Sequence, residues 1–180
     1  MNLPNKLTML RMLLVPVFVL LLLLENGTVQ SLRLAALAVF CIASFTDFLD
    51  GYLARRDHLV TDFGKFMDPL ADKLLVCSAL ICMVGLRQLP AWYVIIIIGR
   101  EFIISGFRLV ASDNGIVIAA SWWGKFKTVS QMITVILLIL NLYCLKTLTL
   151  IFAVAALILT IVSLVDYIAK NIRVITEGGM

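Results

Sequence analysis

Charged residues are scarce in this chain of 180 residues: Asp, Glu, Lys and Arg make up 14% of it, and apolar residue types make up 62%. Soluble domains carry about 25% charged and about 45–50% apolar residues. A water-soluble fold of this length would have too few polar side chains to cover its core. The composition therefore excludes an ordinary soluble domain and indicates a protein surrounded mainly by lipid, with no nucleic-acid partner expected.

Histidine and cysteine are also rare. The four cysteines lie in apolar stretches without C-x-x-C spacing, so neither a disulfide framework nor a zinc site is indicated. The single histidine, His58, follows Arg55-Arg56-Asp57 in a loop and is expected to be solvated rather than catalytic. A metal site in this chain would therefore have oxygen ligands.

Six long apolar runs are present, and they do not alternate with period two as barrel strands would. A spanning helix needs about 20 residues, so the chain has no room for a separate soluble domain. We predict an all-α polytopic membrane protein, a single domain over residues 1–180, with six transmembrane helices and a short N-terminal interfacial segment at residues 4–8. The runs cover residues 12–24, 34–46, 74–86, 89–112, 129–145 and 148–165.

The first run resembles a signal peptide, because Lys6 and Arg11 precede 13 apolar residues. It is followed by Glu25-Asn26-Gly27 rather than by a small-x-small cleavage site. We therefore interpret it as a retained first helix.

The distribution of basic residues predicts the orientation, because Lys and Arg collect on the cytoplasmic side. With six spans both termini share a side, and the other side would hold Arg33, Arg87 and Lys146, three of the 15 basic residues. We predict an inner (cytoplasmic) membrane protein with both termini and the active site in the cytoplasm. The acidic residues, except Glu25, are also on the cytoplasmic side. Orientation signals do not explain this distribution of acids, because Asp and Glu contribute little to membrane orientation.

Four of the 11 acidic residues form two pairs at helical spacing. Asp47 and Asp50 are three residues apart, and Asp68 and Asp72 are four apart, so each pair projects from one helix about one turn apart. We predict that the pairs end the second helix and begin the third. Four converging carboxylates would cost several kcal/mol each to desolvate without a cation.

Two kinds of cation could neutralise these carboxylates. Ion pairs with neighbouring Arg and Lys side chains are the simpler interpretation, but exposed pairs stabilise by only about 0–1 kcal/mol. Oxygen-only ligands select hard divalent cations such as Mg²⁺ or Mn²⁺. The spacing therefore favours a divalent metal site at the membrane surface.

The aspartates belong to a longer pattern that resembles the signature of the CDP-alcohol phosphotransferase family without departure. Its eight fixed positions over 26 residues are Asp47-x2-Asp50-Gly51-x2-Ala54-Arg55-x8-Gly64-x3-Asp68-x3-Asp72. Chain length and the six-helix plan agree with that family, so the resemblance extends over essentially the whole chain. Less diagnostic segments are Asn5-x2-Thr8-x2-Arg11, Arg100-Glu101-Phe102 and Gly124-Lys125-Phe126-Lys127-Thr128.

The resemblance implies an enzyme that transfers a phosphatidyl group from a CDP-lipid to an alcohol and releases CMP, using two divalent cations. It implies Asp47, Asp50 and Asp68 as metal ligands, and Asp72 as general base with an additional metal contact. A homodimer is a further implication. The residues it places around CMP, with the arginine on the donor phosphates, are Gly51, Ala54, Arg55 and Gly64.

The acceptor is expected to be phosphorylated, since basic residues beyond those serving the donor are available. The resemblance implies transfer from CDP-diacylglycerol to sn-glycerol 3-phosphate, with inositol phosphate or another polar alcohol as the alternative acceptor. The candidate residues for the acceptor phosphate are Thr8, Arg11, Arg108, Lys125 and Lys127. An alternative interpretation makes the last three interfacial anchors beside Trp122-Trp123.

Two other classes of protein also use acidic clusters. An intramembrane prenyltransferase would need two separated Asp-rich motifs and a longer chain. A divalent-cation transporter would place carboxylates near the midplane and show internal repeats or broken helices, which this sequence does not.

Overall fold

The computed structural model describes residues 3–24, 30–56, 62–113 and 121–176. Within these ranges the chain forms six α-helices, a short 3-10 helix and no strand, which confirms the predicted fold class. The helices are α1 (Leu3–Leu24), α2 (Gln30–Arg56), α3 (Asp62–Gly85), α4 (Ala91–Asp113), α5 (Trp122–Leu140) and α6 (Lys146–Thr176), with the 3-10 helix at Tyr143–Leu145.

The helices have the length and composition of a polytopic membrane protein. In the part of the chain that is described, four segments are long and apolar enough to cross a membrane: Lys6–Leu24, Gln30–Asp47, Trp122–Leu140 and Tyr143–Asn171. A shorter apolar helix covers Lys73–Gly85. The predicted interfacial segment at residues 4–8 is helical and continuous with α1, because a proline in a first helical turn removes no hydrogen bond.

The chain divides into two compact units, and the single domain over residues 1–180 stays a prediction. The first unit comprises Met1–Leu89 with Leu138–Leu140, and the second comprises Pro90–Leu137 with Asn141–Met180. In the first unit α1 packs against both α2 and α3.

The α1–α2 contact is antiparallel and keeps one register along its length. The Phe18 and Phe40 rings lie 5.6 Å apart, and Arg11 pairs with Asp47. These two contacts are seven residues apart on each helix, in opposite directions. Buried positions recur every three or four residues on both helices, as interlocking helices require: Thr8, Arg11, Val15, Phe18 and Leu22 on α1, and Arg33, Ala36, Phe40 and Ala43 on α2.

Truncating Phe40 should destabilise the first unit measurably. Phe40 is fully buried, and Phe40→Ala leaves a cavity costing about 2 kcal/mol, below the soluble-protein range because lipid also solvates the ring. Denaturation in detergent would measure the loss. Phe45→Ala is the matched control, since Phe45 is 59% exposed; equal destabilisation by both would contradict the packing role.

In the second unit α4 and α6 run parallel. The Tyr93 hydroxyl donates to the Ala153 carbonyl at 2.9 Å, and the Phe107 ring packs edge-on against Tyr167. These contacts are 14 residues apart on both helices, in the same direction. Small residues at Ala153, Ala156, Thr160 and Ser163 are buried on α6, which permits the close approach typical of membrane helices.

Candidate active site

The predicted acidic motif lies on the C-terminal part of α2 and the first half of α3. Asp47 and Asp50 belong to α2, and Asp68 and Asp72 belong to α3. Each pair is separated by about one helical turn. The two pairs therefore occupy the end of the second helix and the start of the third, as predicted.

Most side chains of this motif lie outside the described residues. They are Asp50, Gly51, Ala54, Arg55, Gly64, Asp68 and Asp72. Among the side chains that the structure does describe, no three His, Cys, Asp or Glu residues form a metal-binding group. The convergence of four carboxylates stays a prediction, and Asp47 is the member of the motif whose contacts are described.

Asp47 pairs with Arg11 across the α1–α2 contact. Arg11 Nη1 donates to Asp47 Oδ1 at 2.5 Å. The Arg11 side chain is 0% exposed and that of Asp47 is 37% exposed. Thr8, three residues before Arg11, is also fully buried. A buried guanidinium is stable when a carboxylate neutralises it. In this pair Arg11, a residue predicted to bind the acceptor phosphate, contacts Asp47, a predicted metal ligand.

The metal-ligating atoms that the motif offers fit a divalent cation. Aspartate oxygens are the ligands that Mg²⁺ and Mn²⁺ prefer. Asp47, although paired with Arg11, retains an exposed side-chain fraction of 37%.

A second charged group, here called the triad, consists of Arg100, Glu101 and Lys127 in the second unit. Glu101 Oε1 accepts hydrogen bonds from Arg100 Nη1, at 3.3 Å, and from Lys127 Nζ. Arg100 Nε donates to Ser163 Oγ at 3.2 Å, and a Cβ added at Gly124 would lie 3.4 Å from Arg100 Nη2. Arg100 is 9% exposed and Lys127 2%. The triad thus links α4, α5 and α6 in an apolar setting.

Arg108 and Lys125, two further candidates for the acceptor phosphate, are exposed and lie over aromatic rings. Arg108 Cζ is 5.9 Å from the Tyr167 ring centroid. Lys125 Nζ is 4.4 Å from the Trp122 centroid. A lysine over an exposed tryptophan is the contact expected of an interfacial anchor. Lys127, by contrast, is buried and paired.

Sequence reasoning gave no role to Arg100 or Glu101, although it noted their segment. α4 extends from Ala91 to Asp113 and holds Arg100 near its middle. The signal was an adjacent pair of opposite charges inside a long apolar run. Ionisable residues within membrane segments mark functional sites by default, and that rule would have singled out this pair.

Comparison with known proteins defines the class. The sequence profile of the CDP-alcohol phosphatidyltransferase family matches residues 1–162. The chain belongs to this family, so it is a phosphatidyltransferase embedded in a membrane by its helices. Family membership favours this enzyme class over the prenyltransferase and transporter alternatives.

Individual relatives have names that specify a reaction within this class. The chain is 46% identical to a CDP-diacylglycerol–glycerol-3-phosphate 3-phosphatidyltransferase of Bacillus subtilis, over 94% of this chain and 95% of the relative. It is 42% identical to a probable phosphatidylglycerophosphate synthase of Mycobacterium tuberculosis, over 99% and 85%. A Haemophilus influenzae CDP-diacylglycerol–glycerol-3-phosphate 3-phosphatidyltransferase is 40% identical, over 93% and 91%.

Proposed function

We propose that this protein transfers the phosphatidyl group of CDP-diacylglycerol to sn-glycerol 3-phosphate, forming phosphatidylglycerophosphate and CMP. The observation that carries the proposal is the 46% identity over nearly the full length of a relative named for that reaction. The complete aspartate signature on α2 and α3 supports the same chemistry.

Within this proposal Asp47, Asp50 and Asp68 hold two divalent cations, Mg²⁺ or Mn²⁺, with Asp72 as a further contact. When bound, such cations neutralise the charge that develops on a pyrophosphate as its bond breaks. The oxygen-only donor set supports this assignment.

Asp72 acts as the general base. Its carboxylate accepts the proton of the acceptor hydroxyl as that oxygen attacks the phosphorus of the diacylglycerol phosphate. The new P–O bond replaces the bond to the CMP oxygen, and CMP leaves with the bonding electron pair. A hydroxyl of high pKa needs a base within hydrogen-bond reach at this step, and Asp72 lies one turn beyond Asp68 on α3.

The remaining candidate residues are assigned either to the donor substrate or to the acceptor substrate. Arg55 contacts the donor phosphates, and Gly51, Ala54 and Gly64 line the CMP part of the site. The residues proposed for the acceptor phosphate are Thr8, Arg11, Arg108, Lys125 and Lys127. Of these, the burial and pairing of Lys127 support a binding role, and the Trp122 contact of Lys125 supports the anchoring alternative.

The proposal includes an inner-membrane location with both termini and the active site cytoplasmic. The excess of basic residues at one set of helix ends supports this orientation. A homodimer is proposed on the family resemblance, and the mass of the detergent-solubilised protein would test it.

Acceptor specificity provides the test. Purified protein in detergent receives CDP-diacylglycerol, Mg²⁺ and one alcohol at a time, and CMP release is measured. We expect CMP release with sn-glycerol 3-phosphate and little with glycerol or inositol phosphate. Release with inositol phosphate but not with sn-glycerol 3-phosphate would overturn the proposed acceptor.

A further inference from the structure

The C-terminal end of α5 is held by a polar side chain from the segment that follows α3. In the amide orientation that satisfies both of its neighbours, Gln88 donates from Nε2 to the Leu138 carbonyl at 3.0 Å. Its Oε1 accepts a hydrogen bond from Nη2 of Arg33, on α2, at 3.2 Å. Arg33 is 6% exposed. Arg33, Gln88 and Leu138, here called the clamp, all belong to the first unit.

The backbone on both sides of the clamp is fixed by a helix end. Arg87 follows α3 in the left-handed region, at φ 58°, and the Gln88 N–H donates to a carbonyl of α3 at 2.9 Å. α5 ends at Asn141, at φ 45°, whose N–H donates to the Leu137 carbonyl at 3.0 Å. The last carbonyls of a helix have no partner within it, and leaving one unsatisfied in lipid is costly. Gln88 gives the Leu138 carbonyl a partner that α5 itself does not supply.

The two halves of α5 differ in how closely they are packed. Six of residues 131–140 are buried, whereas among residues 122–130 the buried one is Lys127. Trp122 and Phe126, near the start of the helix, are 71% and 57% exposed. The C-terminal half of α5 is therefore the more tightly packed one.

The polar contact near the other end of α5 is of a different kind. Lys127 reaches Glu101 through a flexible four-carbon side chain, so its ammonium can keep this contact while the backbone shifts. Gln88 instead bonds the backbone of α5 directly, at Leu138. The boundary between the two units also falls within α5, between Leu137 and Leu138. A displacement of the helix is thus opposed more strongly at Leu138 than at Lys127.

We propose that the clamp makes the C-terminal end of α5 its fixed end, so that displacement of this helix occurs at its N-terminal end, over residues 122–130. Hinges in proteins lie at a few loop or element-terminal residues, and the clamp is at such a position. A helix that pivots about one end moves the other end without breaking its own hydrogen bonds. The inference goes beyond the proposed function, because it concerns the movement of a helix and assigns no contact with a substrate.

Hydrogen exchange of the full-length protein in detergent, without substrate, tests the fixed end. Gln88→Leu removes both hydrogen bonds of the clamp and should speed amide exchange at residues 135–141 about tenfold. Exchange at residues 15–22 of α1 should be unchanged. Gln30→Leu is the matched control, since Gln30 is an exposed glutamine at the start of α2, and it should change neither segment. Unchanged exchange at residues 135–141 in Gln88→Leu would overturn the proposal, as would an equal increase in α1.

Gln88→Glu separates the two hydrogen bonds of the clamp. A carboxylate still accepts from Arg33 but cannot donate to the Leu138 carbonyl. This variant should therefore keep the thermal stability of the wild type while exchanging at residues 135–141 as fast as Gln88→Leu. Wild-type exchange in Gln88→Glu would show that the hydrogen bond to Leu138 does not hold α5 and would overturn the clamp.

The movement itself is tested by adding CDP-diacylglycerol and Mg²⁺ to the wild type. Exchange at residues 126–130 should change by about threefold or more, and exchange at residues 135–141 should stay within about twofold. A change confined to residues 135–141, or none at residues 126–130 in a preparation that releases CMP, would overturn the pivot. Absence of CMP release with sn-glycerol 3-phosphate would instead overturn the proposed function. The Gln88 measurements contain no substrate, so they judge the clamp independently.

Discussion

Asp72→Asn should lower the turnover number about 1000-fold, within the range of about 100-fold to 10,000-fold that a positioned general base contributes. Asparagine has nearly the same shape as aspartate but cannot take up the proton of the acceptor hydroxyl. Binding of the CDP-lipid in the presence of Mg²⁺ should be largely preserved. CMP release and equilibrium binding of CDP-diacylglycerol, measured on the same preparation, would separate the two effects. Undiminished turnover would exclude Asp72 as the base.

Asp68→Asn is the matched variant, one turn earlier on α3. Its expected effect is a higher Mg²⁺ concentration for half-maximal activity, because the neutral side chain is a weaker ligand for a hard cation. Part of the lost activity should return at high Mg²⁺. If Asp72→Asn were rescued by Mg²⁺ and Asp68→Asn were not, the two proposed roles would have to be exchanged.

Asp47→Asn should damage both folding and turnover. Its carboxylate neutralises the fully buried Arg11, and removing one partner of a buried pair destabilises by about 3–5 kcal/mol. Because Asp47 is 37% exposed, we expect about 1–3 kcal/mol here, the lower part of the scale between exposed and buried pairs. Turnover should also be largely lost, since the same carboxylate is a proposed metal ligand.

A double-mutant cycle with Arg11→Gln would isolate the pair. Denaturation of wild type, Asp47→Asn, Arg11→Gln and the double variant in one detergent gives the coupling energy directly. We expect about 1–3 kcal/mol, with the double variant more stable than additivity predicts but still inactive. A coupling energy near zero would show that Arg11 does not stabilise the position of Asp47.

Much of the fold could be predicted from the sequence because each helix depends on residues that are close together in the chain. Long apolar runs predict spans, and in lipid every backbone group must be satisfied within its own helix. The bounds were less accurate where polar residues continue a helix. The apolar run at residues 34–46 continues as α2 to Arg56, and that at 74–86 begins as α3 at Asp62. These extensions are the segments that carry the acidic motif.

The candidate site was likewise predictable from the sequence only in part. The placement of Asp47 and Asp50 on one helix and of Asp68 and Asp72 on the next follows from spacing alone, because it depends on 3.6 residues per turn. Arg11 was assigned to the acceptor phosphate without knowledge of the residues that pack against it. Spacing within α1 carries no information about which residue of α2 lies opposite.

By itself, the sequence determined that this protein is an all-α membrane enzyme whose aspartate pairs lie on consecutive helices. Hydropathy and helical period are properties of neighbouring residues, so they are visible without a fold. Only the tertiary structure decided that Arg11 pairs with Asp47 and that Lys127 joins Arg100 and Glu101. Those partners are 36 and 26 residues apart in the chain, and the register of packed helices, set by side-chain contacts along their whole length, brings them together.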